Sequence, residues 1–168
     1  MSTNRFLGLV SGVTTWFTAI TNSAGVADAG KILATDSSGR IDQSFMPAGI
    51  GSATEVMIAS ESLVAGDFVN IWLDTGVRKA RKADNSNGRF ASGFVLNAVS
   101  ANANATVTLQ GVNTALSGLI IATRYFLGTS GGVTTTAPTA SGSQVQRLGI
   151  AVSSTGINFE FDDAINIV

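Results

Sequence analysis

The sequence contains no cysteine and no histidine. The first absence removes disulfides, thiolate metal sites and cysteine nucleophiles together. The second removes the commonest metal ligand and the usual general base near neutral pH. A hydrolase built from what remains needs paired carboxylates, a Ser-Lys arrangement or a threonine at a processed N-terminus. The acidic residues are scattered, and their only local pair, Asp162-Asp163, reads as a solvated turn. Glu160 lies between Phe159 and Phe161, which share one strand face, so its carboxylate is expected to point outward. Gly30-Lys31 is followed by isoleucine and lacks the upstream glycine of a phosphate-binding loop. Asp84-Asn-Ser-Asn-Gly88 has oxygen-bearing side chains but no acidic residue closing the loop for calcium. The chain is therefore expected to be no enzyme, and to have no catalytic residues, no cofactor and no metal.

Charge and proline are also scarce. Charged residues make up 12% of the chain, about half the usual ~25%, and the net charge is −1. Nothing global argues for nucleic acid or an anionic membrane. No apolar run approaches the ~20 residues needed to span a bilayer. The apolar N-terminus is interrupted by Ser11, Gly12, Thr14 and Thr15 and has no clustered positive start, so the chain is read as soluble and unprocessed.

What is present is 45% hydrophobic residues and 19 glycines against two prolines, in 168 residues. This composition fits many short strands joined by tight turns. It suits an ordinary soluble β-domain, and equally a subunit whose surface meets other protein. Arg5 to Val10 and Val13 to Ile20 read as a hairpin closed by Ser11-Gly12. Trp16 and Phe17 are adjacent and so point to opposite faces. Either one enters a core while the other meets a partner, or both are covered by loops of this chain. A two-stranded ribbon alone is marginal. Small residues from Asn22 to Gly30 follow, then two short extended segments around Ser37-Ser-Gly39, ending at Phe45-Met46-Pro47. An N-terminal arm, hairpin plus extended linker, is placed at residues 1–52.

From residue 53 onward the rhythm changes. Short apolar or alternating runs recur: Thr54–Ala59, Asp67–Leu73, Val77–Lys82, Gly93–Val99, Ala105–Gln110, Leu119–Ala122, Arg124–Leu127, Val133–Thr136, Val145–Val152, Ile157–Phe161 and Ile165–Val168. Turn chemistry such as Asp74-Thr-Gly76, Ser130-Gly-Gly132 and Ser154-Thr-Gly156 separates them. The prediction is an all-β protein with little helix, its residues 53–168 forming a β-barrel or β-sandwich.

The one charge concentration is basic: Arg78, Lys79, Arg81, Lys82 and Arg89. In Val77–Lys82, Arg78 and Lys82 share a face with Ala80, and Lys79 and Arg81 share the other. A strand charged on both faces is expected to be an edge or a protruding hairpin. There the charge either blocks unwanted strand pairing or meets an acidic partner. No aromatics interleave to stack nucleobases.

Lys31-Ile-Leu-Ala-Thr-Asp-Ser-Ser-Gly-Arg-Ile-Asp-Gln-Ser-Phe-Met-Pro47 resembles a linker of tailed-phage structural proteins, including fibres and head decoration proteins. Ala65-Gly-Asp-Phe-Val-Asn-Ile-Trp72, Arg81-Lys-Ala-Asp84 and Gly93-Phe-Val95 are similar to a β-module of phage head-decoration (capsid cement) proteins. So are Gly111-Val-Asn-Thr114, Arg124-Tyr-Phe-Leu127, Gly131-Gly-Val133, Val145-Gln-Arg-Leu-Gly149 and Ile157-Asn-Phe-Glu160. The resemblance spans most of residues 28–161. It implies a tulip-like β-domain and a non-enzymatic virion protein, made in the host bacterial cytoplasm and placed on the outer capsid surface. It further implies that the protein bridges subunits of the major capsid protein as a homotrimer, with an N-terminal arm reaching over the shell. Phe6, Trp16, Phe17, Phe45 and Met46 would be the arm's anchors, with strand addition to a capsid sheet edge contributing hydrogen bonds. Arg78, Lys79, Arg81 and Lys82 would be further contacts. The alternative is a tail-fibre or baseplate adapter or receptor-binding domain.

Overall fold

The computed structural model describes residues 5–46 and 53–168. Pro47 and the boundary drawn at residue 52 lie outside the described residues. The chain divides into two compact units, residues 1–51 and 52–168. Among the described residues the only helical segments are two 3-10 turns, Gly25–Asp28 and Gln43–Phe45. No described helix is long and apolar enough to cross a membrane.

In the first unit, β1 (Arg5–Val10) and β2 (Val13–Thr18) pair antiparallel from Arg5↔Thr18 to Val10↔Val13. Ser11 and Gly12 form the two-residue turn with φ of 51° and 81°. Two positive φ values are what a type I′ hairpin requires. Beyond the ribbon, the chain folds back so that Ile20 bridges Leu33 in parallel. The Asp36 carboxylate then accepts the Ser38 and Arg40 N–H groups, closing a turn.

The second unit is built on a closed five-stranded barrel in the order β3-β5-β4-β6-β7. These strands are β3 (Thr54–Ala59), β4 (Phe68–Asp74), β5 (Val77–Lys82), β6 (Gly93–Val95) and β7 (Asn104–Thr108). An odd number of strands cannot close with every neighbour antiparallel, and here β3 and β5 form the parallel pair. Met57, Ala59, Val69, Ala80, Val95, Ala105 and Val107 fill the barrel, with Leu63.

A second, antiparallel sheet runs in the order β10-β9-β12-β13-β8. It comprises β8 (Gly111–Asn113), β9 (Arg124–Leu127), β10 (Val133–Thr134), β12 (Arg147–Ser153) and β13 (Gly156–Phe159). β11 (Gln144–Val145) and β14 (Ile165–Asn166) form a separate two-stranded ribbon. The sheet packs on the outside of the barrel because two barrel strands are apolar on both faces. Val69 and Val95 point inward, while their neighbours Phe68 and Phe94 meet Phe159, Leu148 and Leu127. The three phenylalanine rings lie 5.4–6.0 Å apart in tilted and edge-to-face pairs, the preferred aromatic geometry.

Three sequence expectations are corrected. Val77–Lys82 is neither an edge nor a protrusion: β5 pairs with β4 on one side and β3 on the other. So small a barrel needs only one buried side chain from this strand, Ala80. Arg78 and Lys82, two residues to either side on the same face, lie toward the barrel's ends, where long stems carry their charge outward. Leu119–Ala122 is a turn, with Thr123 N–H on the Ile120 carbonyl and Ala122 at a φ of 62°. Leu119 is buried while Ile120 and Ile121 face out. Finally, β13 ends at Phe159, so Phe161 leaves the sheet and packs edge-on against Phe90.

Candidate interaction surfaces

In the ribbon of the first unit, directly paired residues share a face. Leu7, Leu9 and Trp16 fall on one face; Phe6, Val10, Val13 and Phe17 fall on the other. Phe6 and Phe17 stack with centroids 5.2 Å apart. The Phe17 ring lies over Gly8, where an added Cβ would sit 3.0 Å from it. Leu7, Leu9, Val10, Val13, Trp16 and Phe17 are all exposed. Adjacent Trp16 and Phe17 thus occupy opposite faces, and both are exposed. The aliphatics sit in runs that do not alternate, Phe6-Leu-Gly-Leu-Val10 having no polar residue, so it is the pairing register that divides them between the faces.

Further along, Phe45 is half-buried and Met46 exposed. Ser44 Oγ accepts the Ser23 N–H, tying the end of the linker to its start. The Asp42 carboxyl is held below its ordinary range by the Ser44 hydroxyl and then the Ser44 N–H. The Asp28 carboxyl is lowered by the Ala24 N–H and by the Lys31 ammonium. Among the residues of the first unit whose burial is described, none is buried.

The basic stretch of the second unit is largely neutralised within the chain. Arg78 pairs with Glu55 at 2.7 Å, Lys79 with Asp74 at 2.7 Å, Lys82 with Asp67 at 3.5 Å and Arg89 with Glu61 at 3.8 Å. Arg81 stacks 4.5 Å over the Trp72 ring and donates from Nε to Asn70. Burial, and then the neighbouring Arg89 charge, pull its guanidinium down against the opposing Glu61. At Asp84, burial pushes the carboxyl up. The Ser86 hydroxyl and N–H, the Ser130 N–H and Arg89 together outweigh it, so the net shift is downward. That carboxylate closes its own loop through Ser86 and ties it to the turn at Ser130.

Among the described residues no three acidic side chains converge. An open depression of about 440 Å³ is lined by Asn85, the glycines at 128 and 132, and the Thr134–Thr139 loop, with no titratable group. It offers hydroxyls and amides but no acid–base pair.

No family model and no curated protein matches the sequence. Among solved structures the chain is similar to the N base of the head fiber gp8.5 of bacteriophage phi29. The likeness is 10% identity over 66% of this chain and 95% of that one, with a TM-score of 0.46. At that level of likeness, function has to be argued from this chain's own residues.

Proposed function

We propose that the protein is a non-enzymatic structural subunit of a tailed-phage virion, and specifically a capsid decoration protein that binds across major capsid protein subunits and stabilises the head. One observation carries this reading. The first unit presents Trp16, Phe17, Met46 and several aliphatics, yet buries none of the side chains whose burial is described. Ordering a residue's backbone costs roughly 1–2 kcal/mol, which a segment without a core does not recover by itself. Its stability is supplied by other protein chains. Large apolar side chains set in pockets of neighbouring subunits are the usual source of such interface energy. The resemblance of residues 31–47 to phage structural linkers supports the virion as the assembly, and the shortage of charge suits a surface that mostly meets protein.

Copy number in purified particles tests the location. Hundreds of copies per particle are expected for decoration, whereas a few tens or fewer would move the protein to the tail fibre or baseplate. Charge reversal at Arg78, Lys79, Arg81 and Lys82 weakens attachment if these residues meet an acidic partner surface. Unchanged attachment would restrict them to the intrachain pairs described above.

A further inference from the structure

We propose that Asn87 is a site of spontaneous covalent modification, its carboxamide cyclising onto the main-chain nitrogen of Gly88 and opening to aspartate or isoaspartate. Asparagine is a thermolabile side chain, and it cyclises most readily before glycine, whose missing Cβ leaves the following nitrogen unobstructed. Asn87-Gly88 is the one such pair in the chain. It forms the far half of the turn at residues 85–88, which the Asp84↔Arg89 bridge closes through main-chain bonds of 2.7 and 3.2 Å. The near half is anchored. Asn85 donates its carboxamide to the Leu127 carbonyl, and Ser86 donates its N–H and hydroxyl to the Asp84 carboxylate. Asn87 and Gly88 are both exposed, and among the described residues neither the Asn87 carboxamide nor the Gly88 N–H is hydrogen-bonded. A Cβ added at Gly88 would meet nothing within 4 Å. Elsewhere Asn70 and Asn113 are buried, and their carboxamides donate to the Phe90 and Gly66 carbonyls.

The Gly88 nitrogen attacks Cγ of Asn87 and a C–N bond forms. The bond from Cγ to the carboxamide nitrogen breaks, and ammonia leaves with the proton that the Gly88 nitrogen gives up. Water then opens the cyclic imide. Cleavage at Cγ leaves aspartate; cleavage at the original peptide bond leaves isoaspartate, with the main chain running through Cβ and Cγ. Only water is consumed and only ammonia released. Closing the ring requires rotation about Asn87, so the bonds that hold the turn set the rate through its local opening. The product is one charge more negative than the −1 of the starting chain. Its new carboxylate lies two residues from Arg89, whose guanidinium faces Glu61 at 3.8 Å. The proposal does not depend on the virion reading, because it needs only the isolated chain.

The test is ageing of the full-length chain in warm, mildly alkaline buffer, followed by ion exchange and by mass mapping of peptides with isoaspartate identified. Wild type is expected to gain a more acidic species with time, its mass change confined to the peptide that carries residue 87. Asn87→Gln, whose longer side chain closes a ring far more slowly, is expected to lose that species. Asp84→Ala frees the near half of the turn and is expected to age roughly tenfold faster, the factor that corresponds to about 1.4 kcal/mol of lost closure. Ser86→Ala removes one of those bonds and is expected to give a smaller increase. A thermal unfolding transition retained in each variant shows that the folded chain is being read. Wild type in urea supplies the rate of the unconstrained pair. A folded wild type that stays unmodified while the urea-unfolded chain converts overturns the proposal, because the closed turn would then protect the pair. So does an acidic species that persists in Asn87→Gln, which would place the reaction elsewhere. Equal rates in wild type, Asp84→Ala and Ser86→Ala would overturn the control assigned to the turn's bonds.

Discussion

Gln146 is fully buried, and its amide is used at every point that faces the protein. Oε1 accepts the Ala91 N–H at 2.7 Å, and Nε2 donates to the Ala91 and Asp162 carbonyls, both at 2.9 Å. Gln146→Glu keeps the shape and the bond from Ala91 N–H but replaces the amide's two donors. A neutral carboxyl has one proton for two carbonyls, so one buried acceptor loses its partner at a cost of about 1–3 kcal/mol. An ionised carboxylate sets an anion against both carbonyls in a site closed to water. The folded pKa therefore rises above the ordinary ~4.3 of glutamate, since full burial shifts such groups by up to 3–5 units. Between the unfolded and folded pKa the native state binds the extra proton. The variant's stability is then fullest below the unfolded pKa and falls as pH rises, by about 1.4 kcal/mol per unit. The wild-type chain has no histidine and no cysteine, hence no side chain whose ordinary pKa lies between 5 and 8, and its stability is expected to be nearly level there. Urea unfolding at pH 5, 6 and 7, followed by tryptophan fluorescence, should show the gap from wild type widening by about 3 kcal/mol across that range. Gln146→Met, which cannot titrate, should show a constant gap. A constant gap for Gln146→Glu would refute the reasoning, because it would mean that water reaches the carboxylate.

Phe159→Ala removes the ring that joins the sheet to the two barrel phenylalanines. It is expected to cost about 3–5 kcal/mol in the same assay, and Phe159→Leu well under half of that. Asp84→Ala frees the Ser86 and Ser130 N–H groups and is expected to cost about 1–2 kcal/mol at pH 7. Because the Asp84 pKa is lowered in the folded state, its contribution is complete above the ordinary carboxylate pKa. That contribution disappears as pH falls through the folded value, so the variant and wild type should converge in acid.

The strands and their turns were legible because both are local. Thr54–Ala59, Val77–Lys82 and Arg124–Leu127 match the observed β3, β5 and β9 residue for residue. Ser11-Gly12 is the turn expected, and Asp74-Thr-Gly76 contains another, with Thr75 and Gly76 at φ of 49° and 85°. Closure was not local. The barrel closes through a parallel contact in which Ile58 faces Lys79 and Ala59 faces Ala80. Nothing in either segment's pattern names the other, so barrel and sandwich stood level. The same closure explains the misreading of β5, because alternation rules assume a broad sheet face that needs an apolar side chain at every second position.

The buried amides were hidden for a different reason. Asn85, Asn113 and Gln146 have the residue types of loops, yet each supplies bonds to main-chain groups that the strand ladders leave free, at the Leu127, Gly66 and Ala91 carbonyls respectively. Their burial follows from where strands end, which depends on pairing and not on composition. The ribbon shows the reverse case. Its apolar character was plain in the sequence, and the structure supplies what composition alone does not: the register that divides the exposed side chains between two faces. Exposed apolar side chains on such a ribbon are the kind that supply interface energy when a partner pocket receives them. That exposed apolar surface is the feature from which the ribbon's role has to be argued.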